Sequence, residues 1–174
     1  DEDSDEGMAR SIGRAVSGFS DLLGKMRPDI LLLIADRYEM LAPASVALAL
    51  RIPIAHIEGG EISEGAIDQQ VRDALTKMSH IHFVPTEEAA KRVINMGEEK
   101  DRVYTVGTPS LDHLKYSKFT SLEGIQKTVG LVFNKKPIVA IFHPVTMHIK
   151  TTKEAEIFYP TIGKIAEGTD RPLV

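Results

Sequence analysis

Apolar residues recur along this chain in two rhythms. Met8, Ile12, Val16, Phe19, Leu22, Leu23 and Met26 return at three- and four-residue spacing, which predicts a helix closed by Arg27-Pro28. Ile30 to Ile34 is instead an unbroken apolar run of strand length, the pattern of a strand covered on both faces. The alternation then repeats. A helix is expected from about Tyr38 to Leu50, with its alanine-rich stretch as core, and a strand from Ile54 to Ile57. A glycine-punctuated loop, Glu58 to Gly65, leads to a helix with Ile67, Val71, Leu75 and Met78 on one face. Ile81 to Val84 reads as the next strand, and Thr86 as the N-cap of a helix with Glu87 and Glu88 in its first turn and Gly97 just past its end. Val103 to Val106 is a fourth strand.

Short apolar strands alternating with helices predict an α/β protein with Rossmann-like, doubly wound parallel sheets. The rhythm weakens after Leu114. Lys115 to Phe119 reads as a linker, followed by a short helix to about Asn134. Pro137 to Phe142 is a fresh strand, Lys153 to Glu167 a helix, and Arg171 to Val174 the beginning of another strand. The expected organisation is a first domain's C-terminal part over 1–114, a linker and connecting helix over 115–136, and the start of a second domain over 137–174. With no initiator Met and a strand just starting at the last residue, the chain reads as a segment of a two-domain protein, incomplete at both ends.

The candidate chemistry sits where strands end. One strand runs into Asp36-Arg37, the next into His56-Ile57-Glu58-Gly59-Gly60-Glu61, and Asp68 and Arg72 follow. In a parallel sheet the carboxyl ends of neighbouring strands open onto one crevice, so these side chains converge although they are far apart in sequence. Carboxylates, a histidine and two arginines in one cleft suit proton transfer on a polar, anionic substrate.

Composition narrows the possibilities. A net charge of -4 argues against a nucleic-acid surface. The lack of cysteine excludes disulfides and thiolate metal sites. The longest apolar candidate, Met40 to Ala55, is interrupted by Pro43, Arg51 and Pro53, so no membrane span is expected. No export signal is visible, which fits a cytoplasmic location. The first residues, DEDSDE, read as a solvated acidic run.

ADRYEM, AHIEGGEISEGAIDQQVRDALTKMSHIHFVPT, VGTPSLD and IFHPVT, in this order at strand ends, together resemble the hydrolysing UDP-N-acetylglucosamine 2-epimerases of the sialic-acid type, over about residues 7–146. The resemblance implies a GT-B-like architecture of two Rossmann-like domains with the active site between them, and a UDP-sugar as partner. It implies conversion of UDP-N-acetylglucosamine and water to N-acetylmannosamine and UDP through a glucal, with no metal or redox cofactor, in a homo-oligomer. Asp36 matches the acid of the family's GDR motif, Glu58 that of HIEGGE, Asp68 the acid shortly before a matching Arg72, and His143 the histidine of HPVT. These four resemble the family's catalytic group, and Arg37, Glu61 and Arg72 are the expected substrate-binding residues. The family usually has glycine where this chain has Ala35, a position where glycine permits positive φ and close ligand approach. The family's N-terminal strand and Gly/Arg loop, and its downstream elements that cradle the diphosphate and ribose, have no counterpart in these residues.

Each residue also has a plainer reading. Asp36 could cap a helix, Glu58 could precede a simple Gly-Gly turn, and Glu61 and Glu64 could be loop charges or supports. Asp68 and Arg72, spaced i, i+4, could form a surface ion pair worth a few tenths of a kcal/mol. His56, inside a strand, reads as a satisfied core histidine or a support for its neighbours, and His80 and His82 as an HxH pair with a low claim on metal. Two other functions stay open: the non-hydrolysing epimerase, and a catalytically silent nucleotide-sugar-binding or assembly segment.

Overall fold

The computed structural model describes residues 4–143, 145, 151–169 and 171–174. They form two compact units, 1–112 and 113–174.

The first unit carries a four-stranded parallel sheet: β1 (Leu31–Ile34), β2 (Ile54–Ile57), β3 (Ile81–Val84) and β4 (Val103–Thr105), in that spatial order. Helices alternate with them: α1 (Asp5–Met26), α2 (Leu41–Leu50), α3 (Asp68–Met78) and α4 (Glu87–Asn95). Ser4 caps α1 by accepting from the Gly7 amide, so part of the acidic run expected to be solvated is helix, with Asp5 and Glu6 favouring the positive helix end. Thr86 caps α4 through the Ala89 amide, and Gly97 follows at φ 98°.

Strands in sequential order, joined by crossovers of the usual right hand, receive all their helices on one face. Burial bears this out. Leu33, Ile54, Val71, Leu75, Ala44, Ala47 and Leu23 pack into one core between the sheet, α1, α2 and α3. Val84, Ala89, Ala90 and Val93 form a second core under α4. On the opposite face Leu32 of β1 is 59% exposed, where the unbroken apolar run predicted cover on both sides, while its neighbour Ala55 on β2 is buried.

In the second unit α5 (Asp112–Tyr116) occupies part of the expected linker, and α6 (Leu122–Val129) and α7 (Thr151–Thr169) follow. The strand expected over 137–142 is reduced to one parallel bridge, Ile138 with Leu173, flanked by amide bonds from Ile138 to Pro172 and from Ala140 to Val174. Among the described residues no helix is long and apolar enough to cross a membrane.

Candidate active site

Two neighbouring strands end in the same unusual way. Ala35, the first residue after β1, has φ 62°, and Glu58, the first after β2, has φ 66°. Both lie in the left-handed region, which costs a side-chain-bearing residue about 1–2 kcal/mol. The register holds them side by side: the Ala35 amide donates to the Ile57 carbonyl at 3.0 Å, and the Glu58 amide to the Phe83 carbonyl at 2.9 Å. Strain repeated at adjacent strand ends marks a place where the chain must turn sharply to aim a side chain. The residues aimed are Asp36 in one case and Glu58 itself in the other.

Asp36 is met by two elements. Its Oδ2 accepts from Arg72 Nη2 on α3 and from Ser63 Oγ in the loop after β2, the latter at 3.2 Å. Arg72 Nη1 also donates to Ser63 Oγ at 3.0 Å, closing a three-residue cluster. Arg72 is therefore buried and turned toward the strand end, not outward as half of an i, i+4 surface pair with Asp68. Ser63 is further tied by its amide, which donates to Gln69 Oε1 at 2.8 Å. Sequence reasoning missed Ser63; its place in a polar loop two residues after Glu61 gave no periodic signal.

Asp68 is half-buried at the first position of α3. Arg37 is exposed and engaged with Glu39 through two bonds, 3.0 and 3.3 Å, with its guanidinium 5.7 Å from the Tyr38 ring centre. Its pKa is raised above the ordinary value, mainly by the hydrogen bond and charge of Glu39 and to a smaller extent by the charge of Asp68. Glu58 and Glu61 are half-buried in the glycine loop. His143 is exposed in the second unit; its motif partners Pro144 and Thr146 lie outside the described residues.

The glycine loop is clamped. A Cβ on Gly60 would stand 2.4 Å from the Ala89 carbonyl oxygen of α4, and the Gly60 carbonyl accepts from Arg92 Nη1 at 2.7 Å. Gly59 packs against a buried pair: a Cβ there would lie 3.1 Å from both His56 Nδ1 and Thr76 Oγ1. The Gly-Gly pair is a close-packing device as well as a turn.

His56 and His82 are fully buried side by side in the sheet. Burial lowers the pKa of both below the ordinary imidazole value; for His56 a hydrogen bond to the Ala35 carbonyl opposes the shift, and for His82 the charge of Glu98 does. His82 Nε2 contacts Glu98 at 3.1 Å, and Glu98 in turn binds Lys77. Glu98 lies below the usual carboxylate range; burial pushes it up, but hydrogen bonds and charge from Lys77 and His82 outweigh that. His80 Nδ1 accepts from the Ile54 amide at 3.2 Å. The HxH pair is therefore spent on structure, and no metal-binding group of three or more acidic, histidine or cysteine residues occurs among the described residues.

Comparison with solved structures gives the class of fold. A UDP complex of MnaA from S. aureus superposes with a TM-score of 0.77 over 93% of this chain and 43% of that one, at 21% identity. The UDP-GlcNAc 2-epimerase of Methanocaldococcus jannaschii, solved with UDP-GlcNAc and UDP, gives 0.76 over 93% and 45%, at 23% identity. The fold is thus the α/β fold of GT-B-type epimerases. The sequence goes further: the family profile of UDP-N-acetylglucosamine 2-epimerase matches residues 1–174, and the chain belongs to that family. A Legionella pneumophila UDP-N,N'-diacetylbacillosamine 2-epimerase (hydrolyzing) is 40% identical over 84% of this chain and 38% of its own length. A Neisseria meningitidis UDP-N-acetylglucosamine 2-epimerase is 37% identical over 88% and 41%. The chain therefore spans about two fifths of the length of the curated relatives it matches.

Proposed function

We propose that the protein carrying this chain is a hydrolysing 2-epimerase that turns UDP-N-acetylglucosamine and water into N-acetylmannosamine and UDP. The observation behind it is the convergence of Asp36, Arg72 and Ser63, which brings a strand end, a helix and the glycine loop to one point, with Glu58 following the neighbouring strand. Among the described residues both contacts to Asp36 fall on Oδ2, which leaves Oδ1 for another partner.

Inverting C2 requires loss of a poorly acidic C–H proton. In the proposed course a carboxylate takes that proton as the C1–O bond to UDP breaks, and the bonding pair leaves on the diphosphate. The product is a 2-acetamidoglucal. Water then adds at C1 while C2 receives a proton on the opposite face. As C1–O stretches, positive charge grows on the sugar, and fixed carboxylates stabilise it without reorganising. Asp36, Glu58 and Asp68 share the roles of base, acid and electrostatic partner, and Arg37 serves the leaving phosphate; His143 enters the catalytic group through its match to the histidine of HPVT. Glu61 and Arg72 complete substrate binding, Arg72 by holding Asp36 in place.

Proton NMR of the intact protein with UDP-N-acetylglucosamine in deuterated water tests this. Free UDP, with N-acetylmannosamine deuterated at C2, is the expected result; UDP-N-acetylmannosamine would mean the non-hydrolysing reaction, and no exchange at C2 would remove epimerisation of this sugar. A second reading keeps the chemistry and changes the sugar. The names of the Legionella relative and of a Campylobacter jejuni relative, 37% identical, specify N,N'-diacetylbacillosamine. Running both UDP-sugars side by side separates the two.

A further inference from the structure

The strain at residue 35 needs a counterforce, and the structure contains one. Alanine gains nothing from the left-handed region, yet Ala35 sits there one residue before Asp36. Its carbonyl is 2.8 Å from His56 Nε2 on the neighbouring strand. A carbonyl only accepts, so Nε2 carries the proton and Nδ1 is left as an acceptor. Thr76 Oγ1 on α3 lies 3.4 Å from that Nδ1, and Gly59 leaves room for the pair because a side chain there would press on both atoms. His56 is fully buried, so no water competes for either nitrogen.

We propose that His56 is a positioning residue: its Nε2–H, donated to the Ala35 carbonyl, locks the left-handed turn that delivers Asp36 to Arg72 and Ser63. The inference rests on the epimerase reading and deepens it. His56 touches no reacting atom. It fixes the tilt of the peptide between residues 35 and 36, and a small rotation there moves the Asp36 carboxylate by an ångström or more, enough to lower turnover strongly. Thr76 and Arg72 lie one helical turn apart on α3, so the same helix secures the histidine and the aspartate.

The test uses two amides in the intact protein. Gln at residue 56 places its NH2 near the position of Nε2, whereas Asn places it near Nδ1, toward Thr76. The His56→Gln variant is expected to keep kcat within about threefold, and His56→Asn to lose roughly 10- to 100-fold in kcat with KM changed less than threefold, an effect of the size a misplaced reacting group produces. Urea unfolding of both variants shows whether they are folded to the same extent. Any other ordering overturns the proposal: equal kcat for the two amides, equal loss in both, or a loss carried by KM alone. Asp36→Asn in the same assay distinguishes the two levels. If that variant keeps full turnover, the epimerase assignment of Asp36 fails; if it is inactive while the amide ordering is not seen, only the role of His56 fails.

Discussion

The two units of this chain contain similar proportions of apolar sequence and do very different things with it. In residues 1–112, Ile54, Leu75, Val84 and Val93 are fully enclosed between a sheet and its helices. In residues 113–174 only Ala166 is buried among the described hydrophobic residues, while Tyr116 is 75% and Ile157 70% exposed. The second unit has helices and one parallel bridge, but no sheet of the described residues against which they could pack. Apolar content alone does not make a core; in the first unit the paired strands supply the surface on which the helices bury their apolar faces. The rigid part of the candidate site therefore belongs to the first unit, where Asp36, Glu58, Asp68 and Arg72 share one framework.

The sharpest way to test this division is to remove charge from the first unit. In the intact protein, Asp36→Asn, Glu58→Gln and Asp68→Asn are each expected to lower kcat by two orders of magnitude or more, as losing a proton-transfer or electrostatic group does. Steady-state release of UDP measures it, and near-normal rates in all three would end the assignment. Next comes the core. Leu75→Ala should cost about 2–5 kcal/mol in urea unfolding, as other buried leucines do, whereas Ile157→Ala should stay within about 0.5 kcal/mol. Equal costs would erase the contrast between the units.

A smaller effect is expected at the strained turn. Ala35→Gly should stabilise the first unit by about 0.5–1 kcal/mol, because glycine enters positive φ freely while its extra chain entropy offsets part of the gain. A destabilised variant would mean that the methyl group packs favourably enough to outweigh the strain. The smallest effect is a pH dependence. Since burial depresses the pKa of His56 and His82, the unfolded chain binds protons that the folded one refuses once pH falls below the ordinary imidazole value. Stability should be level above about pH 7 and decline as pH falls below about 6.5 toward the depressed folded values. Urea midpoints between pH 5 and 8 check this, and a flat profile would contradict it.

Much of the first unit was legible because its signals are local. Helical spacing from Met8 to Met26, the Thr86 cap and Gly97 were each readable from neighbours a few residues away. So was the meaning of glycine at the position of Ala35: the backbone there does adopt positive φ, and alanine tolerates it. What escaped was set by contacts distant in sequence. That Arg72 would turn away from its i, i+4 partner depended on Asp36, thirty-six residues earlier. The exposure of Leu32 was equally hidden, because an apolar run on one strand does not say what covers each of its faces. In the second unit, the strand expected from Pro137 onward has an apolar run, and among the described residues it forms a single bridge, Ile138 with Leu173.

Gly60 has a consequence for motion. Because its backbone touches that of α4 with no room for a single methyl group, the tip of the glycine loop and that helix must travel as one solid piece. The loop tip behaves as a wall and not as a door. Under the proposed function, accommodation of a bulkier sugar, such as one bearing a second acetamido group, falls to the stretch from Ile62 to Ile67, for which no close approach to α4 is found among the described residues. A library aimed at changing sugar preference would best leave residues 58–60 alone and vary that neighbouring stretch, sparing Ser63.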